Sequence, residues 1–572
     1  MRISTRLPRL AAVLAALVAA VVTALGPAGA AAAATPAVEI NYQNPVTAFP
    51  PVSRPDTAHC TVAAMQHDFA NSYGQPFVGT LTPPAACPGP WSKVVLDWSG
   101  SVAGRQYDRL AGVWIGGTEV FRTSTPEPDP AGISWHVDAD ISRFIPLLRT
   151  PQPLVADLGN IVNSTYTGIY HMTLTVTYYQ ADAAHPAAQV ADQVIPVSQG
   201  GTTSAGWWAL TAGQTATQSV TFPRNLTSAT LEVFARGGGC EEFWYTNAPD
   251  SYNAAHPGYG LCGGGPYREV EVEVDGKLAG VAQPFPAIYS GGISPLMWRP
   301  IMSVDSLRTE AYSIDLTPFA GLLTDGKAHQ ITLLPPAGIS DVWLMDGTLF
   351  LNTDHHAAQT SGALVKDAIA AAPALTSTVT SPNATTDVIT TDASRDWTVS
   401  GYVDTSAGRV TTTVTQHLSY SNVDTITQAG NAQSVQQRDQ GYTEVTTSGG
   451  PESSEPSEPG AARDSWSYPI DVTSVYQPSS TGSGFLVRGT ADVSRITTTD
   501  TRTGDDWRTT AHVNDHVTAN GVLQRDDSGN VVQADGADTE DYFAQSADAP
   551  CYHHKIEADH GYVTSDRYFD CG

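Results

Sequence analysis

The chain has 572 residues, of which 41% are hydrophobic and 15% charged, and it contains 50 glycines and 39 prolines. At roughly 150 residues per domain this length predicts three or four domains, and the turn-rich composition argues against a disordered chain and against long helical bundles. The formal net charge of -28 makes nucleic acid and membranes poor partners, because an acidic surface repels phosphate groups and anionic lipid. We therefore expect a neutral or positively charged ligand and an acidic working pH.

The first 34 residues have the pattern of a secretory signal peptide. Three arginines precede an apolar run from Ala11 to Leu25, and small residues follow up to Ala34. This run is too short to span a bilayer comfortably, and the small residues suit a signal peptidase. We expect a soluble, secreted, extracellular protein that begins near residue 35.

The six cysteines are expected to form disulfides, because the chain is predicted to be exported. Their spacing favours three local pairs, each worth about 3 to 4 kcal/mol in the chain-entropy model. The predicted pairs are Cys60 with Cys87, Cys240 with Cys262, and Cys551 with Cys571. Each pair would stabilise a different domain.

Strand patterns dominate the folded part of the sequence. Apolar residues alternate with threonine over residues 170–179, which is the two-residue period of a half-buried strand. The alternation over residues 269–274 leads into Asp275-Gly276, a pair that favours a type I′ hairpin turn. The three glutamates of that segment are expected to form a solvated face opposite the valines. Residues 361–375 are rich in alanine and predict a short helix or a linker.

Changes in composition near residues 185 and 360 divide the chain. Residues 35–185 and 186–360 are predicted to be two medium-sized β domains, and residues 361–572 a larger β-rich region in which Thr, Ser, Asp and Val predominate. The stretch near 448–462 is rich in Ser, Glu and Pro, cannot bury apolar surface and is expected to be a disordered loop. The predicted fold class is all-β.

A metal site near the C-terminus is the weaker interpretation of a segment rich in cysteine and histidine. His553, His554 and His560 lie between Cys551 and Cys571. The histidines lack a ligand spacing such as HExxH, and a cysteine pair in an exported protein favours a disulfide. We expect neither a metal nor another cofactor.

Two segments carry residue types that suit a catalytic site. In residues 237–245 three glycines and a cysteine precede Glu241, Glu242 and three aromatic residues; the glycines allow close approach of a ligand, and aromatic rings suit carbohydrate. On a strand the two glutamates would point to opposite faces, so that at most one enters a shared pocket. In residues 105–115 Asp108 precedes an apolar strand. A structural turn and a surface Asp-Arg pair are the alternative interpretations.

A larger set of segments occurs in order between residue 41 and about residue 355: Tyr107–Gly117, Arg122–Pro128, Gly132–Trp135, Leu158–Val162, Gly239–Asn247, Pro284–Pro286, Gly291–Ile293, Trp298–Ile301 and Asp315–Phe319. Together these segments resemble the secreted peptide-N-glycosidase A family, the glycoamidases that detach N-glycans from asparagine. The resemblance implies two jelly-roll-like β-sandwich domains side by side, with an N-glycopeptide or N-glycoprotein bound where they meet.

The resemblance also assigns roles to particular residues. In a distant bacterial relative of the family, an Asp followed by Arg at a strand start is the main catalytic residue, and this pattern falls on Asp108 and Arg109. A Glu shortly after a disulfide cysteine assists it, which selects Glu242 with Glu241 as the alternative. A further Glu of that relative aligns near Asn160, where this chain has no carboxylate, so Asn160 is only a polar candidate.

Hydrolysis of an asparagine side-chain amide needs a water that loses its proton, donors for the oxyanion, and a proton for the leaving glycosylamine nitrogen. We expect Asp108 to be the acid–base carboxylate at the amide and the first sugar, and Glu242 to position water or substrate. The other predicted substrate-binding residues are Arg109 and Arg299, as partners of Asp108 or of the oxyanion, and Trp244, Tyr245 and Trp298. Trp244 and Tyr245 would stack on the chitobiose core, with packing into a sheet as their alternative role.

Two other functions are compatible with the sequence. An endo-type glycoside hydrolase acting on the chitobiose core would also use two carboxylates, and a non-catalytic glycan-binding protein can share a jelly-roll fold. The expected oligomeric state is a monomer.

Overall fold

The computed structural model describes residues 41–449, 460–503, 506–547 and 549–571. Within these ranges the chain is mostly antiparallel β-sheet, which confirms the predicted all-β class. The predicted signal peptide lies outside the described residues, as does most of the predicted loop, whose residues 448–449 and 460–462 belong to strands. In the same ranges no helix has the length and hydrophobicity needed to cross a membrane.

The first β-sandwich consists of two four-stranded sheets packed face to face. Its elements are β1 (His59–Phe69), β2 (Phe77–Leu81), β3 (Trp91–Val102), β4 (Leu110–Ile115), β5 (Thr118–Ser124), β6 (Ile133–Asp140), the short helix α1 (Ile145–Leu148), β7 (Gln152–Leu158) and β8 (Tyr170–Gln180). The strand orders are β1-β8-β3-β6 and β2-β7-β4-β5. The alternating segment 170–179 lies within the inner strand β8, and its apolar side chains face the core as predicted.

The second β-sandwich has a five-stranded and a four-stranded sheet. Its elements are β9 (Gln193–Val197), β10 (Trp208–Leu210), β11 (Ala216–Thr221), β12 (Leu226–Gly237), α2 (Asp250–Ala255), β13 (Val270–Val274), β14 (Lys277–Ala282), β15 (Tyr312–Asp315), α3 (Ala320–Leu323), β16 (Ala328–Leu334) and β17 (Trp343–Thr353). One sheet has the order β10-β17-β12-β15, with β9 also paired to β17, and the other has the order β11-β16-β13-β14.

The predicted hairpin turn between β13 and β14 is confirmed. Val274 pairs with Lys277, and the two turn residues Asp275 and Gly276 have φ angles of 51° and 74°, as a type I′ turn requires. The expectation for the three glutamates of residues 269–274 was wrong in part. Arg395, more than a hundred residues further along the chain, pairs with Glu269 and lies 3.0 Å from Glu271, so two of the three carboxylates face another part of the protein.

The C-terminal region forms one antiparallel sheet of eleven strands, called the long sheet below. Its strands are β18 (Ser361–Ala368), β19 (Ala374–Asn383), β20 (Thr386–Thr405), β21 (Gly408–Thr427), β22 (Ala432–Gly449), β23 (Gly460–Pro478), β24 (Phe485–Thr503), β25 (Asp506–Arg525), β26 (Val531–Ser546), β27 (Ala549–Asp559) and β28 (Tyr562–Tyr568). From β20 onward each strand pairs with the next, and β18 and β19 both pair with β20. The expectation of a helix or linker at 361–375 was therefore wrong.

The long sheet packs one of its faces against the second sandwich. Along β20 buried residues alternate with more exposed ones, which is the pattern of a sheet with a single covered face. The buried side chains of the long sheet, among them Trp397, Ile470 and Val493, belong to the same apolar core as Leu231 and Trp343 of the second sandwich. This continuous core fixes the position of the long sheet.

Three glycines in neighbouring strands form a row across the long sheet. Gly489 of β24 pairs with Gly521 of β25, which in turn pairs with Gly536 of β26. A helical turn, Pro295–Met297, lies against this glycine row. A Cβ atom on Gly536 would lie 1.9 Å from the backbone oxygen of Leu296, and one on Gly521 would lie 2.8 Å from the backbone nitrogen of Met297. The second sandwich can approach the long sheet this closely only because glycine has no side chain at these three positions.

The two sandwiches meet along β5, all seven residues of which are buried. The guanidinium of Arg122 donates to both carboxylate oxygens of Glu119 at 2.8 and 2.7 Å, and to the backbone oxygen of Leu344 at 3.0 Å. The hydroxyl of Ser124 donates to the backbone oxygen of Ser306 at 2.6 Å. This contact places the start of β4 beside the second sandwich.

The three predicted disulfides are present, with Cα–Cα distances of 5.6 to 6.1 Å. Cys60–Cys87 lies in the first sandwich, Cys240–Cys262 in the second, and Cys551–Cys571 in the long sheet.

Candidate active site

Asp108 lies two residues before β4, where the first sandwich faces the second. Its neighbours are fixed by hydrogen bonds: Tyr170 donates its hydroxyl to the backbone oxygen of Tyr107 at 2.6 Å, and the backbone N–H of Arg109 donates to Thr125 Oγ1 at 2.9 Å. The carboxylate accepts a hydrogen bond from the backbone of Gly291, a residue of the second sandwich. Asp108 is therefore directed at the interface between the domains, as the sequence predicted.

Glu127 is a second carboxylate at this interface, and it was not among the predicted site residues. Its backbone N–H donates to Ser290 Oγ at 3.0 Å, and its carboxylate lies 3.3 Å from Arg299 Nη2. A Cβ atom on Gly291 would lie 2.8 Å from Glu127 Oε1 and 3.1 Å from Asp108 Oδ1. The sum of these distances places the two oxygens within about 6 Å of each other, close enough for like charges to raise each other's pKa.

Glu242 supplies a third carboxylate from the second sandwich. It follows the helical turn Gly239–Glu241 at the end of β12, which the Cys240–Cys262 disulfide ties to the segment after α2. Gly239 has a φ of 60°, a conformation that glycine adopts without strain. The carboxylate of Glu242 lies 3.5 Å from Arg236 Nη2, and the guanidinium of Arg236 stacks on the Tyr289 ring at 4.3 Å.

Asp108, Glu127 and Glu242, called the carboxylate cluster below, have pKa values above the ordinary range. Burial raises the pKa of Asp108, while Arg236, the Gly291 backbone and Arg109 oppose the change. Burial raises the pKa of Glu127 to about 8; Arg299 opposes this, and the charge of Asp108 adds to it. Burial raises the pKa of Glu242 to about 7, with Arg236 opposing and Asp108 adding. The charge of Asp108 thus affects the titration of the two glutamates, so the three groups titrate as a coupled set.

Glu241, the alternative to Glu242, has a structural environment. It is fully buried, accepts two hydrogen bonds from the Arg268 guanidinium at 2.6 and 2.8 Å, and accepts a third from Trp343 Nε1 at 2.9 Å. Although burial raises the pKa of the Glu241 carboxyl, the hydrogen bonds from Arg268 hold it below its ordinary value. A permanently charged, fully paired carboxylate is not available to a substrate.

Four other predicted substrate-binding residues lie in the protein interior. Trp244, Tyr245 and Trp298 are at most 5% exposed and belong to the apolar core of the second sandwich, so Trp244 and Tyr245 have the packing role that was their alternative. The amide of Asn160 is buried and donates to the backbone oxygens of Phe69 and Gly168 at 3.0 and 3.1 Å. In this conformation burial prevents these four side chains from contacting a substrate.

The two predicted arginines interact with different members of the carboxylate cluster. Arg109 acts on the charge of Asp108 and donates to Gln106 Oε1 at 2.5 Å. Arg299 pairs with Glu127 and stacks on the Tyr42 ring at 5.0 Å. Arg236 was not among the predicted site residues, and only the folded structure shows that it lies beside Glu242. Glu127, in contrast, lies inside the matching segment Arg122–Pro128 and could have been selected from it.

A cleft lies beside the carboxylate cluster, and its space together with the open solvent it adjoins amounts to about 1590 Å³. Its lining includes Glu127, Arg299 and Gly291, the aromatic side chains of Tyr107 and Phe243, and strand ends of the long sheet. The cleft is therefore formed by all three parts of the protein.

A possible metal-binding group lies elsewhere. Asp535, Asp559 and His560 place one ligand atom each within 4.8 Å of one another on the exposed surface of the long sheet. Among the histidines considered in the sequence, His554 is buried and stacks on Tyr568 at 4.0 Å. The carboxylate cluster has arginine partners, and we assign it no metal.

Fold and site together define the class of the protein. It is an all-β protein in which two sandwiches share a cluster of three carboxyl groups with raised pKa values, beside a cleft to which a third β region contributes. The three carboxylates lie at strand ends or turns between residues 108 and 242, and the fold brings them together.

Comparison with known proteins identifies the family. Residues 47–369 match the family model described as peptide N-acetyl-beta-D-glucosaminyl asparaginase amidase A, and residues 388–470 match the model of the PNGase_A C-terminal domain. A protein of Prunus dulcis named peptide-N4-(N-acetyl-beta-glucosaminyl)asparagine amidase A is 36% identical over 417 residues, which cover 69% of this chain and 72% of that protein. The chain belongs to this family, and the resemblance seen in the sequence is confirmed.

Two solved structures have weaker similarity. PNGase F, a glycosylasparaginase from Flavobacterium meningosepticum, is 12% identical with a TM-score of 0.36 and matches over 52% of this chain and 96% of its own. PNGF-II is 15% identical with a TM-score of 0.35 and matches over 52% of this chain and 66% of its own.

Proposed function

We propose that this protein is a glycoamidase that hydrolyses the amide bond between an asparagine side chain and the first GlcNAc of an N-linked glycan. The observation that carries the proposal is the carboxylate cluster, in which groups from both sandwiches influence one another's charge, beside a cleft that Glu127 lines. Family membership and the name of the Prunus dulcis relative support the choice of bond.

The reaction adds water across the amide. The water oxygen bonds to the side-chain carbonyl carbon and one of its protons moves to a carboxylate; the carbon–nitrogen bond then breaks, and the nitrogen leaves with a proton as a glycosylamine. Asparagine becomes aspartate, and the glycan is released intact. Each step needs a group that can hold a proton near the pH of the reaction.

The environments of the three carboxyl groups suggest how the steps are divided. Asp108, whose pKa is raised by burial against the opposing charges of Arg236 and Arg109, accepts the proton of the attacking water and returns it to the leaving nitrogen. Glu242, on the opposite domain, orients the water or the amide. Burial raises the pKa of Glu127 to about 8, so in acidic solution its protonated carboxyl group can donate a hydrogen bond to the developing oxyanion.

The products distinguish this proposal from the alternatives. After treatment of an N-glycopeptide with the protein, mass spectrometry is expected to find the peptide with Asp in place of Asn, together with the complete glycan. A single GlcNAc left on Asn would identify an endo-type glycoside hydrolase instead. Binding without any product would identify a glycan-binding protein.

The role of Asp108 is tested by Asp108→Asn. Loss of a general acid–base carboxylate is expected to lower kcat by about 10²- to 10⁴-fold, with an unchanged melting temperature. Asp68→Asn is the matched control, because Asp68 is an exposed carboxylate of the same sandwich, paired with His171 at 2.7 Å. Full activity of Asp108→Asn would contradict the assignment, whatever the products of the wild-type protein.

We infer that the protein acts outside the cytoplasm. Three disulfides and no free cysteine among the described residues suit an oxidising compartment, in agreement with the predicted signal peptide. Detection of the mature chain in the culture medium, beginning near residue 35, tests this inference.

A further inference from the structure

The long sheet contributes an apolar surface to the cleft. Tyr476 near the end of β23 and Phe485 at the start of β24 stack with ring centroids 6.2 Å apart and planes inclined by 29°. Val487 of β24, Leu523 of β25 and Val531 of β26 continue this surface, and all but Val487 are partly exposed. These five residues are called the aromatic wall below. They come from the ends of four neighbouring strands, and the pairing of Tyr476 with Val487 and of Val487 with Leu523 puts these side chains on one face of the sheet.

The aromatic wall and the carboxylate cluster belong to one cleft. Glu127 lines the cleft together with Tyr107 and Tyr166 of the first sandwich, whose rings pack at 4.6 Å, and with Phe243, the residue after Glu242. A ligand held at the carboxylates therefore has aromatic side chains next to it and reaches the long sheet as it extends.

A single loop fixes the distance between the carboxylate cluster and the aromatic wall. Residues 291–299 begin at Gly291, which contacts Asp108 and Glu127, and end at Arg299, which pairs with Glu127. Between these points Leu296 and Met297 lie in the glycine row of the long sheet. The aromatic wall thus has a defined position relative to the reacting groups rather than being a separate surface domain.

The geometry argues against an extended peptide as the occupant of the wall. Peptides that bind to sheets commonly add a strand to a free edge, where backbone groups are available, or place side chains in pockets. Strands β23 to β26 are each paired on both sides, so no free edge is offered. A sugar ring has an apolar C–H face and polar edges, which match flat rings next to amide side chains such as Asn431 and Gln433 at the same cleft.

We propose that the aromatic wall is a carbohydrate subsite that binds the sugar residues of the glycan beyond its chitobiose core. The identity of the ligand rests on the proposed function, which places the first sugar at the carboxylate cluster. The long sheet would then be part of the substrate-binding surface, and long glycans would be preferred to short ones.

The test compares two glycopeptides with the same peptide, one carrying a complete oligomannose glycan and the other only the two core GlcNAc residues. In the full chain, Tyr476→Leu and Phe485→Leu keep an apolar side chain but remove the flat ring. We expect each substitution to lower kcat/KM for the oligomannose substrate at least tenfold more than for the core substrate, mainly through KM. Tyr562→Leu is the control, because Tyr562 is an exposed ring on β28 and does not line the cleft.

Equal losses of kcat/KM for both glycopeptides would overturn the subsite. A second pair of substrates has the same glycan on peptides of different length, and a loss of kcat/KM that follows peptide length would overturn it too. Free oligomannose is titrated separately by calorimetry, with the wild-type and variant proteins. Weaker binding of the free glycan by the two variants supports the subsite even if no glycan is released, and such a result would refute only the proposed function. Unchanged binding of the free glycan would refute the subsite.

Discussion

The second sandwich is held by two interfaces that differ in their chemistry. Towards the first sandwich, the buried guanidinium of Arg122, paired with Glu119 of its own strand, donates to the backbone oxygen of Leu344 at 3.0 Å, and the carboxyl group of Asp346 accepts a hydrogen bond from Trp114 at 2.7 Å. On the side of the long sheet, the backbone of the helical turn Pro295–Met297 packs closely against the glycine row. The first interface depends on the balance between the charges of arginine and carboxyl groups, and the second depends on the lack of side chains in the glycine row. The site needs both interfaces, because the carboxylate cluster and its cleft include residues from both sides of each interface.

Substitution of Arg122 is expected to have the largest effect on stability. Arg122→Met leaves Glu119 and Asp346 buried beside each other without a cation, and removal of one partner of a buried pair costs about 3–5 kcal/mol. Urea unfolding followed by fluorescence measures the loss. Arg409→Met is the matched control, because Arg409 binds Asp404 with two hydrogen bonds of 2.7 and 2.9 Å at the exposed surface, and it should leave stability unchanged. Similar midpoints for the two variants would contradict the role of the charge pair.

Substitution of alanine for a glycine of the glycine row is expected to lower activity more than it lowers the stability of the fold. In Gly536→Ala the new Cβ meets the backbone oxygen of Leu296, so the loop 291–299 must shift, and a displacement of about 1 Å in a catalytic group lowers the rate on the order of 100-fold. The readouts are kcat for glycan release and the melting temperature. Gly258→Ala is the control, because nothing lies within 4 Å of a Cβ atom there. Full activity of a folded Gly536→Ala protein would show that the glycine row does not position the loop.

The contribution of the long-sheet interface to stability should depend on pH. This effect is expected to be smaller than those of the Arg122 and Gly536 substitutions. Asp538 accepts the backbone N–H of Ile301 at 3.1 Å, and Glu540 accepts that of Ala48 at 2.6 Å. Burial raises the pKa of Asp538 to about 8 and that of Glu540 well above its ordinary value, to which the charge of Asp515 adds. A raised pKa in the folded state means that the folded protein binds more protons than the unfolded chain. The stabilisation is therefore complete below about pH 4 and is lost as the pH rises towards about 8.

Calorimetry between pH 4 and pH 8 measures this dependence as a falling melting temperature. Asp538→Asn combined with Glu540→Gln removes both titrating groups and should give a flatter profile. A melting temperature that rises with pH over this range would contradict the interpretation. The expected direction agrees with the acidic working pH that the net charge suggested.

The sequence predicted those features that depend on local pattern. The alternation in β8, the Asp275-Gly276 turn and the three disulfides could be read from short stretches, because strand period, turn conformation and cysteine spacing are local properties. Asp108 at a strand start was also found in this way, although its catalytic role remains a prediction.

The features that the sequence did not predict depend on distant partners. Strand β18 was expected to be a helix or linker because its alanine-rich segment has no alternation, and only its pairing with β20 defines it as a strand. Glu269 and Glu271 were assigned to solvent because Arg395, their partner, lies on another part of the chain. Aromatic side chains after Cys240 suggested sugar binding, but the sequence does not indicate that the turn directs Trp244 and Tyr245 inward.

The glycine row has a consequence for attempts to shorten this protein. Leu296 and Met297, at most 6% exposed in the whole chain, would face water if the strands after residue 360 were deleted, and the loop that carries Gly291 and Arg299 would lose the surface against which it is packed. A minimal version would therefore need polar replacements on that loop and a new support for it. We therefore expect the two sandwiches alone to be less stable than the whole chain.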